Sequence, residues 1–297
     1  MHGFRFCVLW FALLKLAACT AVVDPPEAGS ETKWQVTAFI SPQDSVARVD
    51  IFESTLFGKS YSSGTSRVVS GAKSVLISGK NGSLQLTFAA DAGYYRQKVP
   101  ENFFETNEPY TLSLTLPDGS QVEGTCTIPP APAPLSVKIE ESLFTYSAQF
   151  EWQDQPGTIN YYRYIGEIYY PNESPNGCFA ADQKGNTCYR YLAWESGAGI
   201  PGLLSDQALN GKMMTSPSGS FHRSQDGVSF YGNLRPNTRL RAYLLNVDKI
   251  YYEFHKQIYR LSAETQLSEP VVLISNLSGA NGVFAGFNQT SIDLPVN

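Results

Sequence analysis

The chain has 297 residues, of which 42% are apolar, 13% aromatic and only 16% charged, against about a quarter charged in an ordinary soluble chain. With 17 Tyr, 17 Phe, 24 Gly and 18 Pro, it is neither a disordered chain nor a helical array or coiled coil, which would be rich in Ala, Glu, Lys and Leu. The formal net charge is −5; setting aside residues 1–18, which hold Arg5 and Lys15 and no acid, 20 basic residues face 27 acidic ones, a net −7, so no nucleic-acid partner is expected.

Residues 1–18 read as a signal peptide. Arg5 supplies a short positive region, Val8 to Leu14 is a compact apolar run, and small residues Ala17 and Ala18 precede Cys19. The run is far below the roughly 20 residues needed to span a bilayer as a helix. Leu16-Ala17-Ala18-Cys19 resembles a bacterial lipobox, in which the cysteine thiol is acylated and becomes the first mature residue; two or three acyl chains anchor a protein stably where one is marginal. Ordinary cleavage near Ala18, leaving Cys19 as a free thiol, is the competing reading. Residues 19–33 are polar and contain Pro25 and Pro26, as suits a tether off a membrane.

From Trp34 to Ile128 the pattern is short alternating runs separated by turn residues: Trp34–Ile40, Ser45–Phe52, Lys73–Ser78, Ser83–Phe88, Gly93–Val99, Tyr110–Leu116 and Gln121–Ile128. Turn signals KNG (Lys80–Gly82), DAG (Asp91–Gly93) and PDG (Pro117–Gly119) lie between them. Seven short strands in this span predict an Ig-like β-sandwich over 34–128. The alternating prolines of 129–134 favour an extended linker, and 135–297 reads as a second, β-rich domain. Its predicted strands are Leu135–Glu140, Ser142–Trp152, Asn160–Tyr170, Cys188–Trp194, Gly227–Gly232 and Arg239–Val247. One segment departs from strand periodicity: apolar residues at 250, 254, 258 and 261 after Asp248 predict a single helix near 249–262, capped by Asp248. Pro270–Asn288 reads as an extended run followed by a Gly-rich turn.

Beyond Cys7 and Cys19 three cysteines remain. Cys178 and Cys188 bracket a polar loop, and in an exported protein a loop-closing disulfide is expected between them, the alternative being two free thiols. Cys126 falls in a predicted strand as a buried thiol. No C-x-x-C or His pair accompanies them, so no metal and no cofactor is expected.

No catalytic residues emerge. His222 lies in a polar stretch and His255 on the predicted helix, and neither sits in a known nucleophile or metal motif. Gly197, Gly199 and Gly202 match G-x-G-x-x-G in form, but Pro201 removes a donor and no crossover helix follows, so this is read as a loop. Asp154, Asp182, Asp206, Asp226 and Asp248 each adjoin a turn or cap, where Asp is favoured for backbone hydrogen bonding. The one compositional excess is tyrosine between 161 and 191. Adjacent tyrosines in a strand point to opposite faces, so Tyr161, Tyr162, Tyr169 and Tyr170 are candidates for a binding surface, unless tyrosine there simply suits half-buried strands.

The order of a lipobox, WQVTAFIS, YTLSLTLPDG, FEWQDQPGTINYYRY, LSDQALNGK, RLRAYLLNVDKIYYEFHKQI and finally SNLSGANGVFAGF (Ser275–Phe287) resembles the Bacteroidetes lipoprotein family catalogued as domain of unknown function 4249. The resemblance implies an exported lipoprotein, often encoded beside TonB-dependent outer-membrane receptors, with no established catalytic residues; only Cys19 carries over as a functional position. The Cys178–Cys188 loop is not a family-wide expectation. The reading is therefore a non-catalytic, lipid-anchored protein of the outer membrane in the cell envelope, whose partners are the bilayer and an outer-membrane receptor. The alternative is a surface glycan- or host-binding adhesin that uses exposed tyrosines.

Overall fold

A computed structural model describes residues 33–54, 67–142, 145–171, 182–184, 186–195, 199–222, 237–263 and 274–296. The first half forms β1 (Lys33–Ile40), β2 (Val46–Ser54), β3 (Arg67–Val68), β4 (Ser74–Gly79), β5 (Gly82–Gln85), β6 (Thr87–Ala89), β7 (Tyr94–Lys98), β8 (Pro109–Thr115) and β9 (Gln121–Thr127). Every strand expected there is present. In β8 and β9 alternate residues are buried, the period-2 pattern of a sheet with one face on a core. The three turn signals each end in a glycine at positive φ: Gly82 (117°), Gly93 (76°) and Gly119 (93°).

The second half forms β10 (Ser136–Glu141), β11 (Thr145–Gln153), β12 (Tyr161–Pro171), β13 (Asp182–Lys184), β14 (Thr187–Tyr191), β15 (Ala193–Trp194), β16 (Leu203–Ser205), β17 (Met213–Thr215), β18 (Gly219–His222) and β19 (Arg239–Val247). Helix α1 (Lys249–Ala263) follows, then β20 (Leu277–Ser278) and β21 (Asn281–Pro295). The protein is mainly β, with one helix among the described residues. The strand expected at Gly227–Gly232 lies outside them, as do residues 1–18, Cys19 and all but the last residue of the 19–33 tether. Asp248 caps α1 as expected, its Oδ1 accepting from the Tyr251 N–H at 2.8 Å.

The strands make three sheets. The largest runs β13-β14-β12-β19-β21-β1-β2-β7-β6, with β16 beside β12 and β3 beside β2; the others are β10-β11-β18-β15 with β17 on β11, and β20-β9-β8-β4-β5. Parity places the cores. Even-numbered Val36, Ala38, Ile40 and Phe284 join the core beneath β4, β8 and β9, which includes Ile77, Leu112 and Leu114. Even-numbered Tyr162, Tyr164, Leu240, Ala242 and Leu244 join the core beneath β11, with Phe150 and Trp152. Odd-numbered Phe39, Tyr161, Val283 and Ala285 face the other way, onto Tyr251 and Phe254 of α1. The two small sheets therefore cover one face of the long sheet and the helix covers part of the other.

The tail is where expectation and structure part. The Gly-rich segment does turn at Gly279 (φ 78°), but 281–295 is a fifteen-residue strand. Its residues 281–286 pair parallel with β1, Val36 opposite Gly282, and residues 287–295 pair antiparallel with β19, Val247 opposite Phe287. A Cβ on Gly282 would strike the Val36 carbonyl oxygen, and one on Gly286 would lie 2.6 Å from the Thr127 oxygen. The glycines serve close backbone approach within a strand rather than a turn. The proline run is docked where the strand changes partners: Asn288 donates to the Pro129 carbonyl at 3.3 Å, Asn246 to that of Pro130 at 3.0 Å, and Gln155 to that of Ala131 at 2.7 Å.

Gly282 (φ 125°) and Gly82 (φ 117°) share a backbone conformation, but no atom lies within 4 Å of a Cβ at Gly82. Gly82→Ala is expected to cost only the backbone strain, about 1 kcal/mol. Gly282→Ala, which also clashes with backbone, is expected to cost at least about 2 kcal/mol more. Chemical denaturation of both variants, with unchanged m-values, checks the difference.

Candidate functional site

Strand β12 sorts the predicted tyrosines by parity. Tyr162 (0% exposed) and Tyr170 (2%) are buried, which removes them from any binding surface, because even positions of β12 point to the core under β11. Tyr161 and Tyr169 point outward and are half-buried. Tyr161 packs on Tyr252 of α1, ring centroids 4.9 Å apart. Tyr169 donates to Asp293 Oδ2 at 2.5 Å, and the same carboxylate accepts from Arg239 at 2.6 Å and Arg241 at 2.9 Å. The Arg241 guanidinium also lies 4.7 Å from the Tyr169 ring centroid. Against partial burial, these donors hold Asp293 below the usual carboxylate range. Tyr189 sits opposite Tyr169 and Tyr191 opposite Glu167 in the β12–β14 pairing, so all share the outer face, and Tyr191 is 57% exposed. The outward-facing tyrosine row is thus half-buried Tyr169 and Tyr189 with exposed Tyr191.

Cys188, opposite Tyr170, is buried. Cys126 is the free cysteine of the described residues; Cys178, the partner predicted for Cys188, lies outside them. Gly197 is also outside, while Gly202 (φ 79°) turns into β16 and its carbonyl accepts from Tyr164 N at 3.0 Å, a loop as expected. Asp226 lies outside the described residues, and of His222 and Asp182 only the backbone is described, in β18 and β13.

His255 is fixed by partners. Arg163 Nη1 lies 3.1 Å from His255 Nε2 and donates to Tyr251 Oη at 2.6 Å. A guanidinium only donates, so Nε2 is the acceptor and the ring is neutral. Phe39 stacks on it, centroids 5.4 Å apart. Burial first, and the Arg163 charge second, push His255 down to about 3.

A buried polar knot joins two loops that no single motif announced. Asp154 (1% exposed), just past β11, and Asp206 (0%), just past β16, belong to the DQPGTIN and DQALNGK segments. Asp154 Oδ1 accepts from Tyr162 Oη at 2.6 Å and Oδ2 from Gly211 N at 2.6 Å. Asn160 Nδ2 lies within 3.4 Å of Asp154 Oδ1, Gln155 O, Thr158 O and Asp206 Oδ2. Asn210 ties the loops again, donating to Thr158 O at 2.7 Å and accepting from Gly157 N at 3.0 Å. In the same loops, and at the start of β17, Ile159 (53%), Leu209 (41%) and Met213 (60%) are exposed. Each Asp taken alone suits a turn, and only the fold shows that they meet.

A cavity of about 780 Å³ lies at the corner between residues 42–45 and 97–104, with Asp44, Lys98, Glu101, Phe103 and Phe104 in its lining. Burial raises Asp44 to about 6 against the pull of the Ser41 N–H. Among the described residues no three His, Cys, Asp or Glu side chains converge to hold a metal, and no helix is long and apolar enough to cross a membrane.

A family model described as a domain of unknown function (DUF4249) matches residues 21–293. Among solved structures, the crystal structure of a DUF3823 family protein from Parabacteroides merdae is similar at 8% identity and a TM-score of 0.19, over 73% of this chain and 92% of that one, a likeness too slight to carry an argument. No curated protein matches.

The His255 arrangement gives a direct expectation. A free histidine titrates near 6.5; the His255 ring resonances should instead stay flat in an NMR titration between about pH 8 and pH 5. An inflection near the ordinary value would mean that the Arg163 contact does not persist in solution.

Proposed function

The chain belongs to the DUF4249 family, and from that premise we propose that it is a non-catalytic lipoprotein of the outer membrane, anchored through Cys19 and serving as an accessory or binding partner of a TonB-dependent receptor. The observation that carries the reading is the Leu16-Ala17-Ala18-Cys19 box, followed by a polar, proline-containing stretch that ends where β1 begins. Support for a non-catalytic role comes from how the reactive groups are used. His255 is a fixed acceptor for Arg163, Asp248 caps α1, and Asp293 gathers two arginines and Tyr169. The outward-facing row of Tyr169, Tyr189 and exposed Tyr191 favours a second reading, a surface adhesin in which tyrosine rings stack on glycans.

One experiment separates these readings. With a tag after Asn297, mild-detergent extracts of the wild type are expected to yield a β-barrel receptor by mass spectrometry, and Cys19→Ala is expected to lose both membrane fractionation and the receptor. A membrane-bound protein that comes down alone would favour the adhesin, to be tested by loss of glycan-array binding in Tyr191→Ala. A Cys19→Ala protein that fractionates like wild type would overturn the anchor.

The Cys178–Cys188 disulfide belongs to the same proposal, since export leads through an oxidising compartment. Closing a loop of this size stabilises by about 3 kcal/mol on the chain-entropy estimate. Alkylation of the unfolded, unreduced mature protein is expected to label Cys126 and to spare Cys178 and Cys188; labelling of all three would refute the bridge.

A further inference from the structure

The knot between the two loops has more acceptors than donors. Asp206 Oδ2 faces the amides of Asn160 at 3.3 Å and Asn210 at 3.5 Å, and both of these only donate through Nδ2. Asp206 Oδ1 is fully buried and has no hydrogen-bond partner. The Asn160 amide cannot make up the shortfall, because its two hydrogens are already set among four oxygens. Asp154 has both oxygens occupied as acceptors, by Tyr162 and Gly211. Among the described residues no Lys, Arg or His pairs with either carboxyl: Lys212 contributes its backbone carbonyl to Asp154 N at 2.9 Å, and its side chain is exposed. The groups facing Asp206 are therefore Asp154 from the end of β11, Asn160 from the approach to β12, with Tyr162 on β12 behind Asp154, and Asn210 from its own loop.

Two buried carboxylates with no cation between them and one oxygen without a donor are a costly arrangement. A single hydrogen removes both faults. We infer that Asp154 and Asp206 share one proton, carried on Asp206 Oδ1 and donated to Asp154, and that this proton fastens the 154–160 loop to the 206–213 loop. The Asn160 amide, 3.4 Å from Asp154 Oδ1 and 3.3 Å from Asp206 Oδ2, sets the two carboxyls side by side; burial, and then the Asp154 charge, raise Asp206 above the ordinary aspartate range, against the pull of the Asn160 backbone N–H and side-chain amide. A raised carboxyl favours folding while it is protonated. The contribution is fully present below the pKa of an unfolded aspartate, about 3.9, and is lost as pH rises through the folded value, when the proton leaves to solvent and two like charges face each other. The latch joins the loops that carry Ile159 and Leu209 and lead into Met213, so it sets how firmly those exposed apolar residues are held.

The test is the denaturation midpoint of the full-length protein against pH for wild type, Asp206→Asn and Asp154→Asn. An amide at 206 keeps a donor toward Asp154 at every pH, so D206N is expected to stand above wild type in alkaline buffer, with the gap closing toward about pH 4. D154N is expected to flatten the same pH-dependent increment. A difference between wild type and D206N that is constant across pH would overturn the shared proton. So would a rise in the alkaline midpoint of wild type on adding millimolar calcium that D206N abolishes, because the pair would then be a cation site. If the variants fail to fold, the carboxyl carbon of Asp206 followed by NMR in the wild type reads the proton directly. An inflection above the ordinary aspartate range is expected, and one at or below it would overturn the assignment.

Discussion

The architecture depends on one strand belonging to two ladders. β21 gives residues 281–286 to β1 and residues 287–295 to β19; no other strand of the described residues joins the first half of the chain to the second in this way. The handover is held by a reciprocal backbone contact: Asp248 N donates to the Gly286 carbonyl at 3.0 Å, and Gly286 N donates to Asp248 Oδ2 at 2.9 Å. Asn288, two residues on and buried, reaches back to the first half, accepting from Gln43 at 2.8 Å and donating to Thr106 at 3.2 Å. A change of partner would ordinarily leave backbone groups unpaired in the interior; here Asp248 and Asn288 supply what the ladders cannot. This is why the glycines are needed: a side chain at 282 or 286 would push the strand off the Val36 and Thr127 carbonyls it must lie against.

The same economy governs the polar residues elsewhere. Asp248 is at once the cap of α1 and the clamp on Gly286, and burial raises it to about 6. Asp293 holds three donors from β12 and β19 on the outer face. Exposed ion pairs such as Arg96 with Asp91 add little to stability. The buried or half-buried networks specify register and loop position, because a slip by one residue would strand their donors and acceptors without partners.

Much of this was legible in the sequence. Alternation, the three glycine turns and the helical spacing after Asp248 are local signals, and the elements they predict among the described residues are present. The outward face of β12 was legible too: Arg163 and Glu167 occupy odd positions, and charge on one parity marks the solvent side of a strand. Two adjacent tyrosines do not by themselves show which one faces out; the neighbouring charges do, and they put Tyr162 and Tyr170 on the core side. The tail was harder. A run with glycine at 279, 282 and 286 has turn composition, and nothing local says that two other strands wait to approach its backbone. Asp154 and Asp206 were illegible for a different reason: 52 residues separate them, and only the pairings of β12 with β16 and of β11 with β17 bring their loops together.

The titratable groups at the joints share a sign. Asp44, at the β1–β2 corner, and Asp248, at the handover, are both raised to about 6 by burial, and Asp206 is raised at the loop latch. Each contributes stability that is complete below the unfolded aspartate value, about 3.9, and that declines as pH rises through its folded value. His255 works against them: held neutral down to about 3, it contributes stability present above about 6.5 and lost as pH falls toward its folded value. On acidification from neutral pH the histidine of the unfolded chain charges first, at about 6.5, so a net gain comes only as pH falls through about 6, where Asp44 and Asp248 take up their protons. Asp248 and Asp206 hold backbone or loop connections, and Asp44 holds the Ser41 N–H at the wall of the cavity. Perturbed acids placed at joints of the fold fix the positions of the strands and loops that meet there.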